Sequence, residues 1–482
     1  HRVKKHSDPE SKTHRGNIRK TCGKCHLGIR EASEKDVHGR AFTRGNFMAP
    51  TCNDCHTTHT IRPVGAKGFR LYIVAECGTC HKEALKTYEE SQHGKVTALG
   101  FGVAAKCSDC HGSHRIERLD HALFTGKPLD VKICRKCHPG ANANFALFMP
   151  HADHRNKERY PWLYFTYVAM TSLLVFVFVF FGVHTALWLP RSFKERPKRD
   201  NPGPGEAAQY FWRIDGYHRV LHVMVVVSFL GLALTGLPLK FSHTSWARFL
   251  AQYTSVADYP VAGFFHRFFA LVTFLYFGLH IRYLIRYIRR YKGSKAALIL
   301  GPDSPFPSFK DVRQLRDHVR YFLGFGPRPK FDRWTYWEKF DYWAVFWGVA
   351  IIGSTGLLLW FPTFFARVLP GWIINIAILV HSDEALLAVG FIFCIHFFNT
   401  HLRGEKFPID RVIFTGRLSL EELKEERPAE YERLVASGEL DKRRASPPAP
   451  WMESFARGFG FTALAIGIFL IVLIIASALA PS

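Results

Sequence analysis

The stretch TCNDCHTTH, Thr51–His59, places two cysteines and two histidines in nine residues. It suits a zinc clasp, a redox disulfide with bystander histidines, or an attachment site for haem c. The rest of the N-terminal segment separates these readings. Ten of the eleven cysteines lie between residues 1 and 158, and they form five pairs, each C-x-x-C-H: Cys22/Cys25, Cys52/Cys55, Cys77/Cys80, Cys107/Cys110 and Cys134/Cys137. Zinc needs four ligands and gives no reason for a histidine after every pair. Haem c needs both features: two thioethers fix the vinyl groups, and the next histidine falls under the iron. The proximal ligands are then His26, His56, His81, His111 and His138.

A shift of 55 residues maps Cys22, Cys25, His26 and His38 onto Cys77, Cys80, His81 and His93. The same shift maps Cys52, Cys55, His56 and His59 onto Cys107, Cys110, His111 and His114, so a two-haem unit is duplicated, with a partial third at Cys134. If all five haems are bis-histidine, the repeat supplies His38, His59, His93, His114 and His151 as distal ligands. His59 is too close to His56 to reach the other face of the same iron, so it is expected to cross to a neighbouring haem. Substitutes for any of these are His6, His14, His121 and His154, and Met48 or Met149 would give one centre a methionine ligand. A domain this small, with few helix or strand signals, is expected to be loop-rich and to use its haems as its core. Thioether attachment belongs outside the cytoplasm, and a chain that begins at His1 is expected to have lost a signal or anchor.

The net charge is +24, from 64 Lys+Arg against 40 Asp+Glu. A nucleic-acid partner is not expected, because 15% of the chain is aromatic and the basic residues flank long apolar runs. Six such runs are long enough to span a bilayer: 161–189, 219–240, 261–287, 341–361, 373–400 and 456–480. With 1–158 outside, the RSFKERPKRD connector and the RYLIRYIRRYKGSK loop are cytoplasmic. The connectors near 241–260 and 362–372 are external and poor in basic residues. This arrangement suits a bacterial-type inner membrane with the haem domain in the periplasm.

Histidines inside apolar spans are functional candidates. His266 and His280 are 14 apart on the third span, and His381 and His396 are 15 apart on the fifth. Fourteen residues rise about 21 Å and return nearly to one helix face, so two such helices describe a two-haem cytochrome b. His266 and His381 share the outer level. His280, His396 and His222 compete for the inner one, with His218 and His401 near enough to make a third b haem conceivable. The quoted stretches HRVLHVMVVVSFLGLALTGLPLKF (218–241), GFFHRFFALVTFLYF, KFDRWTYWEKFDYWAVFWGVAIIGSTGLLLWFP and HSDEALLAVGFIFCIH resemble the cytochrome b subunits of membrane formate dehydrogenases and nickel-iron hydrogenases over about 200 residues, 210 to 410. The resemblance implies His222 with His396 for the inner haem and His266 with His381 for the outer. It leaves His280 without a role, a second candidate or a quinone-side residue.

The expected fold is mainly α: a haem-packed pentahaem domain (1–158), a first span and connector (159–200), a di-haem membrane domain (201–410) and a cytoplasmic segment with the last span (411–482). No G-x-G-x-x-G after a strand, Walker A motif or iron–sulfur cluster is evident. The eleventh cysteine, Cys394, is read as packing. Five haem c and two haem b imply one-electron traffic between the quinone pool and a periplasmic redox protein or enzyme subunit, within a larger oxidoreductase complex. Asp383 and Glu384, beside His381, are candidates for quinone protonation or else solvated loop residues. The competing expectation is a haem-bearing docking module that only anchors a periplasmic enzyme. A multihaem nitrite reductase is disfavoured, because the histidine supply closes every axial position. The segment LSLEELKEERPAEYERLVASGEL reads as one cytoplasmic amphipathic helix.

Overall fold

The computed structural model describes residues 4–117, 129–194, 209–256, 259–404, 406–407 and 409–479. His121 and residues 195–200 of the RSFKERPKRD connector lie outside these. The fold is mainly helical, and six helices are long and apolar enough to cross a membrane: Pro161–Lys194, Gly216–Lys240, Ala262–Arg290, Tyr336–Trp360, Trp372–Leu402 and Pro450–Leu479. Each coincides with an expected span and overruns it by a few residues. Large apolar side chains such as Phe176, Phe264 and Phe268 point outward, as lipid-facing residues do. The chain divides into two compact units.

The first unit comprises residues 1–167, 238–262 and 356–379. Its N-terminal part is less loop-rich than expected, being built from short helices that repeat the 55-residue register. Leu27–Glu34, Val37–Thr43 and Cys52–His56 recur as Lys82–Glu90, Gln92–Ala98 and Cys107–His111. Four of these six helix starts carry a side-chain cap. Asp36 and Ser91 accept the backbone N–H of Gly39 and Gly94, and Asp54 and Asp109 accept the N–H of Thr51 and Lys106. Gly39 and Gly94, each following a candidate distal histidine, are required by close approach: a Cβ would strike the carbonyl of Ser33 or Tyr88.

Apolar side chains bind this part to the two connectors of the unit. Leu99 and Phe101 pack with Ala247 and Ala251, Phe145 with Ala366, and Met149 with Trp372 and Ile376. Polar contacts reinforce them. Asn142 Nδ2 donates to the Ala366 carbonyl at 2.9 Å, and Asn375 Nδ2 donates to the Met149 carbonyl at 2.8 Å. If all six helices cross a bilayer, 238–262 and 356–379 emerge on the side that carries the N-terminal part, so these contacts agree with the threading.

The second unit comprises 168–237, 263–355 and 380–482. Tyr210–Trp212 is the centre of a three-stranded antiparallel sheet between Arg417–Ser419 and Arg444–Ala445. Residues 411–445 are therefore built into the same body as 210–212 and do not form a separate segment. The expected single amphipathic helix is two, Leu420–Glu426 and Pro428–Ala436, because Pro428 lacks the N–H that a continuous helix needs at that point. Buried ion pairs tie this region down. Glu430, 1% exposed, meets Arg213, Arg333 and Arg443 at 2.9, 3.2 and 3.3 Å. Lys406 meets Glu426 at 2.7 Å. An aromatic core gathers Trp188, Phe322, Phe331, Trp337 and Phe398 around the fully buried His318.

Candidate functional site

None of the ten N-terminal cysteines is joined in a disulfide. Thiols of adjacent motifs approach one another, and Cys22 hydrogen-bonds with Cys52 as its repeat-mate Cys77 does with Cys107. Burial pushes the Cys55 thiol up to about 11, whereas the hydrogen bond with Cys77 holds Cys107 below its ordinary value. Among the described residues no three His, Cys, Asp or Glu side chains converge as they would on a tetrahedral zinc.

The cysteines sit differently on their helices, and Cys137 lies beyond the end of one. It is exposed in the turn after the helix Val131–Arg135, with its N–H on the Cys134 carbonyl at 3.2 Å. Cys22, Cys25 and Cys80 are exposed as well. The cause is where each helix stops. Cys52–His56 and Cys107–His111 carry a whole motif on one helical turn, and all four of their cysteines are half-buried. In the first and fifth motifs the helix ends at Gly23 or Arg135, ahead of the second cysteine, so Cys25 and Cys137 turn outward. Cys80 is the last residue of the helix Lys67–Cys80.

The histidines come together in facing pairs. His38 faces His81 with ring centres 6.1 Å apart, His56 faces His114 at 6.0 Å, His93 faces His138 at 6.2 Å and His111 faces His151 at 6.3 Å. In each pair one ring belongs to a C-x-x-C-H motif and the other comes from a distant segment. An iron held between two imidazoles needs two bonds of about 2.0–2.1 Å plus about 1.1 Å from each nitrogen to its ring centre, roughly 6.3 Å in all. The observed separations fit that requirement. Burial holds His38, His56, His93 and His138 below the ordinary imidazole value, so they are neutral, as metal ligation demands. In the fourth pair, the Nδ1 of His111 lies 3.4 Å from the Glu117 carbonyl and that of His151 lies 3.0 Å from the Thr87 hydroxyl, contacts that orient both rings.

His59 is exposed, and among the described residues no ring faces it. The crossing expected of it is made by its repeat-mate His114, which reaches back to His56. The backbone shows how the local turn is made: Thr57, directly after His56, has φ +62°, and Gly112 occupies the same left-handed position in the second copy at φ +84°. The repeat places His1 in register with His56, and His1 lies outside the described residues. The substitutes have other surroundings. His6 is exposed, His14 Nδ1 accepts the Gly16 N–H, and His154 meets Glu90 at 3.3 Å. Met48 is 83% exposed, and Met149 is buried in an apolar cluster. His26 is exposed.

Within the membrane-spanning helices a fifth pair has the same separation. His266 and His381 lie with ring centres 6.2 Å apart. Thr235 donates its hydroxyl to the Gly231 carbonyl at 2.7 Å and so accepts at 2.9 Å from His266 Nδ1. His381 Nδ1 donates to the Ile352 carbonyl at 3.0 Å, with the Thr355 hydroxyl at 3.2 Å. Both rings are thereby fixed with Nε2 as the lone-pair nitrogen. Gly236 leaves room beside the ring, since a Cβ there would sit 3.2 Å from His266 Cε1.

At the other level His396 donates from Nδ1 to Asp341 Oδ2 at 2.8 Å. His222 lies within electrostatic reach of His396 and His401, and its buried Nδ1 has no hydrogen-bond partner among the described residues. One turn earlier, the buried Nε of Arg219 is also unpartnered, a position suited to a carboxylate such as a haem propionate. His280 is placed differently: its Nε2 lies 3.0 Å from the Tyr342 hydroxyl and its ring 5.9 Å from His218, whose Nδ1 is held by Asp215 at 2.9 Å. His401 Nδ1 accepts the Asp410 N–H.

The 15-residue interval between His381 and His396 has a local cause. The helix is α to Phe391 and π-helical over Ile392–His396. Ten steps of about 100° and five of roughly 82–87° total about 1,410–1,435°, close to four full turns, whereas a straight α-helix would overshoot by about 60°. Glu384 is 3% exposed, hydrogen-bonds to Trp347 and keeps one oxygen unpartnered. It is a buried residue of the span, not a solvated loop residue, and Asp383 beside it is half-buried. Cys394 is exposed on the π-helical turn, so it does not pack in the core.

Sequence spacing did not reach Thr235, Thr355 or Asp341. The only trace of the threonines is a hydroxyl residue followed by glycine in an apolar run. It also missed a buried relay in which Tyr336 hydroxyl bridges His184 Nε2 at 2.5 Å and His318 Nδ1 at 2.9 Å. No protein-family profile matches this chain, and no curated protein is significantly similar to it.

Proposed function

We propose that this chain is a membrane-bound electron carrier of a respiratory oxidoreductase, exchanging electrons between the quinone pool and a periplasmic redox partner. The observation that carries this reading is the facing of histidine rings at 6.0–6.3 Å, in four pairs that each include a C-x-x-C-H histidine and in the pair His266/His381 between membrane helices. Haem c on the five cysteine pairs and haem b on His266/His381 and His222/His396 would supply reversible one-electron chemistry.

The chain's own residues do the rest. The cysteines would tether haem c, the facing histidines would hold the iron from both sides, and Thr235, Ile352, Thr355 and Asp341 hold the ring orientation of the membrane histidines. The buried carboxyl of Glu384, three residues from His381, is positioned to exchange a proton with a quinone at the level of that pair. The external placement of the N-terminal part is supported by its packing against connectors 238–262 and 356–379. His280, hydrogen-bonded to Tyr342, fits a polar site near the opposite end better than a ligand.

A pyridine haemochrome assay on the purified chain is expected to give c and b haem in a ratio near five to two. Addition of a quinol analogue is then expected to reduce both types in wild type, and only b haem in H266A. Haem c reduction by quinol at the wild-type rate in H266A would refute the route.

A further inference from the structure

The two membrane centres differ in what holds their ligands, and we propose that Asp341 is a positioning residue that sets the His222/His396 centre at a lower potential than the His266/His381 centre. This rests on the electron-carrier reading above. His266 and His381 pass their Nδ1 protons to neutral acceptors, the Thr235 hydroxyl and the Ile352 carbonyl. His396 alone donates to a carboxylate, at 2.8 Å. Asp341 sits on the helix Tyr336–Trp360 with its side chain 15% exposed, and its second oxygen is buried without a hydrogen-bond partner.

Among the described residues no lysine or arginine pairs with Asp341, and Glu338, within electrostatic reach, has the same sign. A carboxylate hydrogen-bonded to a ligating imidazole raises its basicity, and a more basic ligand favours the higher oxidation state of the metal. The effect is strong here because the pair is screened from water. Neutral hydroxyl and carbonyl acceptors give the other centre no such bias. The geometry thus orders the two levels: transfer from the His222/His396 level toward the His266/His381 level is downhill.

The test is a spectroelectrochemical titration of the full-length purified protein, following the b-haem bands. Wild type is expected to titrate as two b components. H266A or H381A, which removes a ligand of one centre, is expected to leave the lower-potential component. D341N keeps an oxygen acceptor but loses the charge. Its lower component is expected to shift toward the reduced form by about tenfold at fixed poise, about 59 mV for one electron. The upper component is expected to stay in place, and D341E to behave as wild type.

A remaining component at the higher potential in H266A or H381A overturns the proposal. So does a D341N protein with both b haems and an unmoved lower component. Should D341N not fold, the ordering in H266A and H381A decides by itself. Wild type without haemochrome-detectable b haem would instead defeat the electron-carrier reading, a result distinct from either.

Discussion

Replacing one distal histidine by alanine in the N-terminal part should open one axial position and no more. His114 shows how the size of the effect follows from geometry. Its ring centre lies 6.0 Å from that of His56, within a few tenths of the roughly 6.3 Å that two metal–imidazole bonds require. Alanine ends at Cβ, so no atom of residue 114 reaches the iron in H114A. The rings of the other three pairs are held by separate segments and should stay closed.

Carbon monoxide binds reduced haem only where a position is open. H114A should therefore take up about one equivalent per chain more than wild type, with the low-spin intensity of about one c haem lost. H38A, H93A and H151A should each do the same. H154A, whose ring meets Glu90 and Tyr167, should add none. The assay is a CO titration of dithionite-reduced protein, read in the Soret band. The reasoning fails if any of the four variants folds, keeps its five c haems and binds no extra CO, or if H154A gains an equivalent.

Three further outcomes are expected, each read by thermal unfolding in detergent. G94A should cost about 1–3 kcal/mol, because the added methyl meets the Tyr88 carbonyl; a loss no larger than that of an exposed Gly→Ala change elsewhere would contradict the close approach. D311A should remove a capping box, about 1 kcal/mol, and leave the Lys339 ammonium buried without its partner at 3.0 Å, about 3–5 kcal/mol more; the double variant D311A/K339M should regain most of the second part. Burial would raise the Glu426 carboxyl, but Lys406 with Arg403 and Arg427 outweighs it and holds the group well below its ordinary value of 4.5. Its contribution is then complete above pH 4.5 and is lost as pH falls further. The gap between wild type and E426Q should close on acidification, and a constant gap from pH 7 to 3 would count against the pairing.

The spans and the five cysteine motifs were legible because both obey local rules: apolar length for one, fixed spacing to a single ring system for the other. The repeat was legible too, and the helix starts found at Leu27 and Lys82, and at Cys52 and Cys107, follow its register. How far each motif is enclosed was not, since the same C-x-x-C-H spacing lies wholly on a helix at Cys107 and runs off the end of one at Cys137. Pairing was less legible still. Spacing shows that His59 and His114 are equivalent, but it does not show that His114 turns back to His56, because the left-handed backbone is common to Thr57 and Gly112 and the difference lies in tertiary packing. The choice between His222 and His280 depends on neighbours that are remote in sequence, His396 for one and Tyr342 for the other. The π-helical turn that absorbs the odd residue before His396 leaves no compositional mark. The helix break at Pro428, by contrast, was in plain view.

The facing pairs also carry a temporal order. His38 and His93 precede the motifs they face, whereas His114 and His151 follow theirs. On a chain delivered across a membrane from its N-terminus, the His81 centre can close as soon as its own motif emerges. The His56 centre, though attached earlier, must wait for His114. Closure would then run His81, His56, His138, His111, out of step with attachment. A chain stalled between residues 81 and 114 would expose an unfinished centre at TCNDCHTTH, and that interval is where a maturation factor would have most to protect.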